Sequence, residues 1–462
     1  MQNTLYTGDN LYILNGMNSE SVDLIYLDPP FNSKRTYSAP VGSKSAGASF
    51  KDMWSWNDVD ESYLEKLVEN YSFMVKFIEA IEGIHGKAMM SYITYMTQRI
   101  IEMHRVLKST GSFYLHCDPT ASHYLKIILD KIFGKNNFRS EITWKRQTAK
   151  KGSQYKRKSY GASSDIILFY TKSDDWFFNI PKIPLNPKEL IKKFNKIDEK
   201  GRRFRPDRVT LPRVMTRYNL VYEYKKYIPE YGWMMNKEKL EQMDKEGRLY
   251  WSKTGKPYRK YFLNDYEGKE VSNMWIDIFI ATKKESLGYP TQKPLALLKR
   301  IILASSNEGD IIFDPFCGCA TACVAAQQLQ RKWIGIDIEK QAASILIERL
   351  SDDAGLFSDF IHRTDVPERT DIKKEFINQS IKERLFKQQE AKCNACNTEM
   401  RLVDFEIDHI IPKSKGGGDY YENYQLLCGN CNRIKGNRPM EYLRMKIKVR
   451  EELLQNKVTF GG

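Results

Sequence analysis

Asp28-Pro29-Pro30-Phe31 closes a short apolar run, Val22 to Leu27, and its residue types suit chemistry on an amine. A strand that ends in an acid and two prolines makes a rigid, exposed corner. Proline keeps its carbonyl as an acceptor and removes a competing N–H. The Asp28 carboxylate and a proline carbonyl can therefore face one NH2 group. The lone pair of an adenine or cytosine amine is delocalised into the ring. Two acceptors on its hydrogens favour a more tetrahedral nitrogen and stabilise the positive charge that develops as it accepts a methyl group. Phe31 is suited to stack on a base turned out of a duplex. The plain alternative for these residues alone is a Pro-Pro turn with an Asp cap.

A second group lies far along the chain. Phe313-Asp314-Pro315-Phe316-Cys317-Gly318-Cys319-Ala320-Thr321 follows a predicted strand and opens a predicted helix. A strand, a turn of small residues and a helix N-terminus let the backbone approach a nucleotide-like ligand. Asp337 ends the next predicted strand, where a carboxylate can accept hydrogen bonds from both hydroxyls of a ribose. The plain alternative is a helix-packing turn and a surface acid.

Near the C-terminus, Cys393-Asn394-Ala395-Cys396 and Cys428-Gly429-Asn430-Cys431 form two Cys-x-x-Cys pairs. Four thiolates close a tetrahedral zinc site, and a structural zinc would stabilise a segment too small for a large core.

The elements that must position these residues follow from periodicity. Strands are predicted at Val22–Leu27, Ser112–His116, Asp165–Tyr170, Ile311–Phe313 and Trp333–Ile336, with helices at Ser91–Leu107, Tyr124–Phe133, Leu295–Ala304 and Thr321–Leu329. This alternation implies an α/β fold with a parallel sheet. Between them the text turns irregular, basic and aromatic, as in Gln154-Tyr155-Lys156-Arg157-Lys158 and Tyr258-Arg259-Lys260-Tyr261. The expected domains are a catalytic half at 1–138, an insert at 139–284 with a core strand near 165–170, a cofactor half at 285–351, a linker at 352–380 and a small zinc domain at 381–462.

The order of motifs resembles the β-class DNA amino-methyltransferases: Asp28-Pro29-Pro30-Phe31, a basic aromatic insert, Thr291-Gln292-Lys293-Pro294, then Asp314-Pro315-Phe316-Cys317-Gly318. The resemblance covers roughly residues 1–350 and is weakest across the insert. It implies a Rossmann-like sheet that uses S-adenosyl-L-methionine, with Thr291, Gln292, Lys293 and Pro294 wrapping the methionine end of the cofactor. The insert would recognise the target. Asp rather than Ser before Pro-Pro favours adenine N6 over cytosine N4 within that class. Where the family turn ends Gly-Ser-Gly, this chain has Gly318-Cys319-Ala320, which speaks against a positive φ at Ala320.

Ile407-Asp408-His409-Ile410-Ile411-Pro412, Gly416-Gly417-Gly418, Asn423 and Asn432 between and beside the cysteine pairs resemble the HNH nucleases, a ββα-metal fold. By that match His409 is the general base, Asn423 orients it, and Asp408 and Asn432 hold Mg2+ or Mn2+ through oxygen ligands. Together the two resemblances imply a single-chain restriction–modification enzyme, prokaryotic or phage-encoded. The alternatives are a methyltransferase whose zinc module only binds DNA, and a DNA-binding regulatory protein without activity.

Composition agrees. The chain has 462 residues and a formal net charge of +15 with a hydrophobic fraction of 41%. That balance favours a polyanion, and the interleaved Tyr, Phe and Trp suit double-stranded DNA better than a lipid surface. The sequence lacks an apolar run of about 18 residues and does not open as a secretory signal, so a cytoplasmic protein without membrane contact is expected. A homodimer is left open.

Overall fold

The computed structural model describes residues 3–448 apart from 34, 41–42, 44, 46–48, 61–62, 65–66, 68–70, 148–159, 283–284, 355–359, 373–377 and 441. The basic segment Gln154–Lys158 lies outside the described residues. The main sheet has nine strands: β1 (Thr4–Thr7), β2 (Val22–Leu27), β3 (Leu107–Cys117), β4 (Phe138–Lys145), β5 (Ser164–Thr171), β6 (Met274–Trp275), β7 (Ile311–Asp314), β8 (Lys332–Asp337) and β9 (Ile361–Arg363). Their spatial order is β6-β4-β5-β3-β2-β7-β8-β1-β9.

The expected parallel sheet is mixed. β5 pairs antiparallel with both β3 and β4. The chain reverses between Lys145 and Ser164, so β5 slots between its neighbours in the opposite sense; the other pairings of the sheet are parallel.

Burial explains the strand text. Val22, Leu24, Ile25 and Leu27 are fully buried, as a central strand covered on both faces requires. Helix α1 (Asn10–Gly16) follows β1, and α2 (Lys87–Val106) precedes β3. On α2, Ile93, Met96, Ile100 and Met103 recur at helical spacing and are fully buried. Each such side chain contributes about 1.5–3 kcal/mol of burial, so an Ile100→Ala change would cost about 2–5 kcal/mol. Helix α3 (Ser122–Leu129) is shorter than the predicted Tyr124–Phe133 helix, because its last turn widens into a π-helical stretch, Asp130–Gly134. Helices α4 (Leu295–Ser305) and α5 (Thr321–Gln328) flank β7.

The domain boundaries differ from those read in the text. The separate compact unit is 180–271, not 139–284. β4, β5 and β6 belong to the main sheet, because their apolar residues Ile142, Trp144, Ile167, Leu168 and Trp275 are buried in it. The unit at 180–271 holds a four-stranded antiparallel sheet and a small core of Val209, Trp233, Leu240 and Leu249. Its basic and aromatic residues pair with one another: Arg202 lies over Phe262, Lys260 over Phe204 and Arg205 over Tyr261. The expected linker at 352–380 contains β9, which pairs parallel with β1.

The C-terminal module has two antiparallel strands, β10 (Phe405–His409) and β11 (Tyr424–Cys428), followed by α6 (Gly429–Lys435). Phe405, Leu426, Leu427 and Cys393 anchor its core.

Candidate active site and zinc-ligand cluster

The parallel strands β1, β2, β7 and β8 end on one edge of the sheet, and each is followed by residues that line a cavity of about 690 Å3. These are Asp9 and Asn10 after β1, Asp28 to Phe31 after β2, Pro315 to Gly318 after β7, and Asp337 at the end of β8. A crevice at the carboxyl ends of parallel strands is where open α/β sheets bind ligands.

Asp28 stands between the two halves of the site. Lys293 places its ammonium on Asp28 Oδ2. Asp28 Oδ1 is buried and has no hydrogen-bond partner. An unsatisfied buried carboxylate oxygen carries a desolvation cost of about 1–3 kcal/mol or more, which a donor from a ligand would offset. Phe31 lies over the His116 imidazole, with ring centroids 6.0 Å apart and planes at 28°. His116 is fully buried and bonds Tyr26 Oη at 3.0 Å and Asp165 Oδ2 at 3.2 Å. The loop after Phe31 is held by Asp52, which accepts from the Asn32 and Ser33 amides at 2.6 and 2.9 Å.

The cofactor half is built as tightly. Asp337 accepts from the Gly318 amide at 2.7 Å and the Glu339 amide at 2.8 Å. Burial pushes its carboxyl up to about 6, against the pull of those two amides. Asp314 accepts from the Phe316 amide at 3.1 Å, and burial pushes its carboxyl well above the usual range. Gly318 has φ +50, which favours glycine, and a Cβ there would lie 3.1 Å from the Tyr289 ring, so a side chain would press on that aromatic wall. Ala320 does adopt a positive φ, 57°, contrary to the expectation from its side chain. The turn into α5 imposes the left-handed conformation, at a cost of roughly 1–2 kcal/mol relative to a right-handed residue. The cavity, the Gly318 cradle and the half-buried Asp337 fit a nucleoside-type cofactor.

Thr291, Gln292 and Lys293 line the cavity, whereas Pro294 caps α4. Gln292 spends its amide on the backbone, receiving from the Leu287 amide and donating to the Glu285 carbonyl, both at 2.9 Å. It shapes the loop rather than offering a free polar group.

Several site residues escaped the sequence reading. Arg99, with a side chain 1% exposed, donates to Asp9 at 2.7 Å and to Asn10 at 2.6 Å. Asn10 in turn donates to the Pro315 carbonyl at 2.8 Å. The Gly8-Asp9-Asn10 text after β1 was the available signal, since an Asp before a helix marks an N-cap; Asp9 does accept from the Leu11 amide.

In the C-terminal module the four thiols of Cys393, Cys396, Cys428 and Cys431 lie within 4.8 Å of one another. A tetrahedral zinc with bonds of about 2.3 Å needs thiolates about 3.8 Å apart, so the cluster fits that ion. Asn423 does not orient His409. Its buried side chain accepts from the Ile411 amide at 2.9 Å and donates to the Ile411 and Gly418 carbonyls, both at 3.1 Å. Asp419 does the orienting instead: its Oδ1 lies 3.0 Å from His409 Nε2 and accepts from Tyr424 Oη at 3.0 Å. Burial pushes the Asp419 carboxyl up, but hydrogen bonds from Lys413, His409 and Tyr424 outweigh it and hold the group at about 2.

The pair expected to hold Mg2+ is partly engaged by protein groups. Asp408 Oδ2 accepts from Lys435 Nζ and Gln425 Nε2, both at 2.8 Å, and Asn432 donates to Glu406. Among the described residues, the cysteines are the one cluster of three or more His, Cys, Asp or Glu ligand atoms. The contacts of the expected pair use Asp408 Oδ2 and the Asn432 amide nitrogen, so Asp408 Oδ1 and Asn432 Oδ1 are the oxygens through which a divalent ion would be held.

An acid suited to a ribose on β8, with an unsatisfied carboxylate oxygen next but one on β2, defines a transferase that uses a nucleoside cofactor. The chain belongs to the DNA methylase family, whose model matches residues 22–348, and it carries an HNH endonuclease domain at residues 393–438. It is 30% identical to the type II methyltransferase M.EcaI of Enterobacter cloacae, over 80% of this chain and 74% of that protein. It is 26% identical to the DNA adenine methyltransferase YhdJ of Escherichia coli, over 75% of this chain and 82% of that one. The solved complex of M1.HpyAVI with S-adenosylmethionine aligns at a TM-score of 0.36 and 16% identity, over 75% of this chain and 98% of that chain. No helix among the described residues is long and apolar enough to cross a membrane.

Proposed function

We propose that this DNA methyltransferase methylates the N6 amine of adenine in double-stranded DNA, in the cytoplasm of a prokaryotic or phage-infected cell. The observation that carries the reading is Asp28 Oδ1, a buried acceptor without a donor beside an open cavity. An exocyclic NH2 supplies that donor. Lys293 holds the other carboxylate oxygen, so the acceptor is fixed before the base arrives. Phe31, braced from below by His116, offers its ring to the flipped base. S-adenosylmethionine, when bound, supplies an electrophilic methyl; Asp337 and the Gly318 turn would hold its nucleoside. As the nitrogen attacks, Asp28 stabilises the positive charge that develops there. Adenine is favoured over cytosine by the Asp before Pro-Pro and by the named activity of YhdJ. An Asp28→Ala variant tests the role: methyl transfer falls by at least about 10²-fold while cofactor affinity stays within a few fold. Equal loss of both would make Asp28 structural.

For the C-terminal module, zinc on the four cysteines and cleavage through His409 form the companion reading, with Mg2+ or Mn2+ supplied from solution. The Lys435–Asp408 pair favours a second reading, a zinc-stapled DNA-holding module. Supercoiled plasmid with either metal separates them. Nicking that His409→Ala removes, with zinc retained, supports the nuclease; intact plasmid in every methylation state supports the holding module.

A further inference from the structure

The C-terminal module sends residues into the methyl-transfer cavity. Lys415 and Pro439 line the same cavity as Asp28 and Asp337. Both lie well past the region that the DNA methylase model matches, residues 22–348.

The turn that carries Lys415 is locked against α1 and the segment near Asp60. Lys415 Nζ bridges both carboxylate oxygens of Asp60, at 3.1 and 3.3 Å, and the Asp60 side chain is only 8% exposed. Tyr63 donates its hydroxyl to the Lys415 carbonyl at 3.0 Å, and Asn15 donates its amide to the Gly416 carbonyl. Gly416 has φ +84, and a Cβ there would sit 2.6 Å from the Tyr12 carbonyl. Ile411 shares a buried apolar cluster with Leu11 and Tyr63. Such a combination of an ion pair, backbone contacts and a close glycine approach fixes one position of the turn.

Charge makes the position consequential. The described lining residues include the acids Asp9, Asp28, Asp58, Asp60, Asp314 and Asp337, and the only cations among them are Lys293 and Lys415. Lys293 is paired with Asp28. Lys415 is paired with Asp60 in the same way, so both lining cations are fixed by acids of the wall, and this one comes from the C-terminal module.

We infer that the C-terminal module is a working wall of the methyl-donor cavity, with Lys415 the residue that closes it, so that cofactor affinity depends on a residue of the HNH module. The inference rests on the reading that this cavity takes S-adenosylmethionine. A reciprocal consequence follows from linkage. The short turn that bears Lys415 also bears Asp419, which holds His409. Cofactor occupancy then steadies the turn that positions the nuclease base.

Calorimetric titration of S-adenosylmethionine into the full chain tests this. The proteins are wild type, Lys415→Met, Gly416→Val, and Arg401→Ala as a control on an exposed pair of the same module. Zinc content and melting temperature check the fold. Lys415→Met and Gly416→Val are expected to weaken binding by about 5–30-fold, with Arg401→Ala unchanged. Amide exchange in residues 411–419 is expected to slow when cofactor is added to wild type. A wild type that binds cofactor, with both variants at the same Kd and zinc intact, overturns the inference alone. A wild type that binds no cofactor overturns the methyltransferase reading and this inference with it.

Discussion

Lys293 and Asp28, 265 residues apart in sequence, form the ion pair that joins the catalytic and cofactor halves of the cavity. Their side chains are 10% and 17% exposed, so solvent screens the pair weakly. The pairing leaves one carboxylate oxygen occupied and the other buried without a partner. Replacing Lys293 with Met removes the fixed partner and leaves a charge in a poorly solvated place. Methyl transfer is expected to fall by about 10²–10³-fold, mainly in kcat. Transfer of labelled methyl at saturating cofactor, beside equilibrium dialysis, checks the split; a pure KM effect would mean that Lys293 serves binding alone.

Asp337 sets a pH dependence. Burial raises its carboxyl to about 6, so the free protein holds this proton more tightly than an exposed acid would. Ribose hydroxyls donate to the carboxylate and favour the charged form. Binding cofactor should therefore release a proton near pH 6, and affinity should fall by up to about tenfold per unit as pH drops below that value. Titrations in two buffers of different ionisation enthalpy measure the release. Asp337→Asn should bind more weakly and show a flat profile over the same range.

Much of this site was legible because chemistry and periodicity coincide at strand ends. Asp28 and Asp337 close apolar runs, and the strand period fixes where they emerge. The rest depended on pairings that no local pattern carries. Asp52 and Arg99 act through contacts many residues away, and neither sits in a recognisable spacing. The reversed direction of β5 was hidden because a buried strand reads as the same apolar run in either sense. The expected contact of Asn423 with His409 is not among its side-chain hydrogen bonds; a polar residue near a histidine looks like its partner in one dimension. The fold instead gives that place to Asp419, and Asn423 satisfies the backbone of the turn.

That distinction is measurable. Asn423→Ala leaves the buried Ile411 amide and carbonyl without their side-chain partner, at about 1–3 kcal/mol each, so it should lower the stability of the C-terminal module. Asp419→Asn should leave stability near wild type and lower any plasmid cleavage by on the order of 10²-fold. Chemical denaturation and nicking rates, read together, separate the two. The reverse pattern would restore Asn423 as the residue that orients His409.

Zinc removal should act locally. The module's core rests on Phe405, Leu426, Leu427 and the cysteines themselves, so chelation removes a large share of what holds it. One zinc per chain is expected, lost in Cys428→Ser. Hydrogen exchange should then rise across residues 393–438 while the central strands β2 and β7 stay protected. Uniform loss of protection would mean that the module and the main sheet unfold together.

The central claim is that the orphan oxygen of Asp28 receives an adenine amine. The most direct test incubates plasmid DNA with the full chain and S-adenosylmethionine carrying a deuterated methyl, then digests the DNA and weighs its nucleosides. The account predicts labelled N6-methyladenine with wild type and none with Asp28→Ala. Label on cytosine would contradict the assigned base, and a chain that binds cofactor yet labels no base in DNA rich in sequence variety would contradict the account itself.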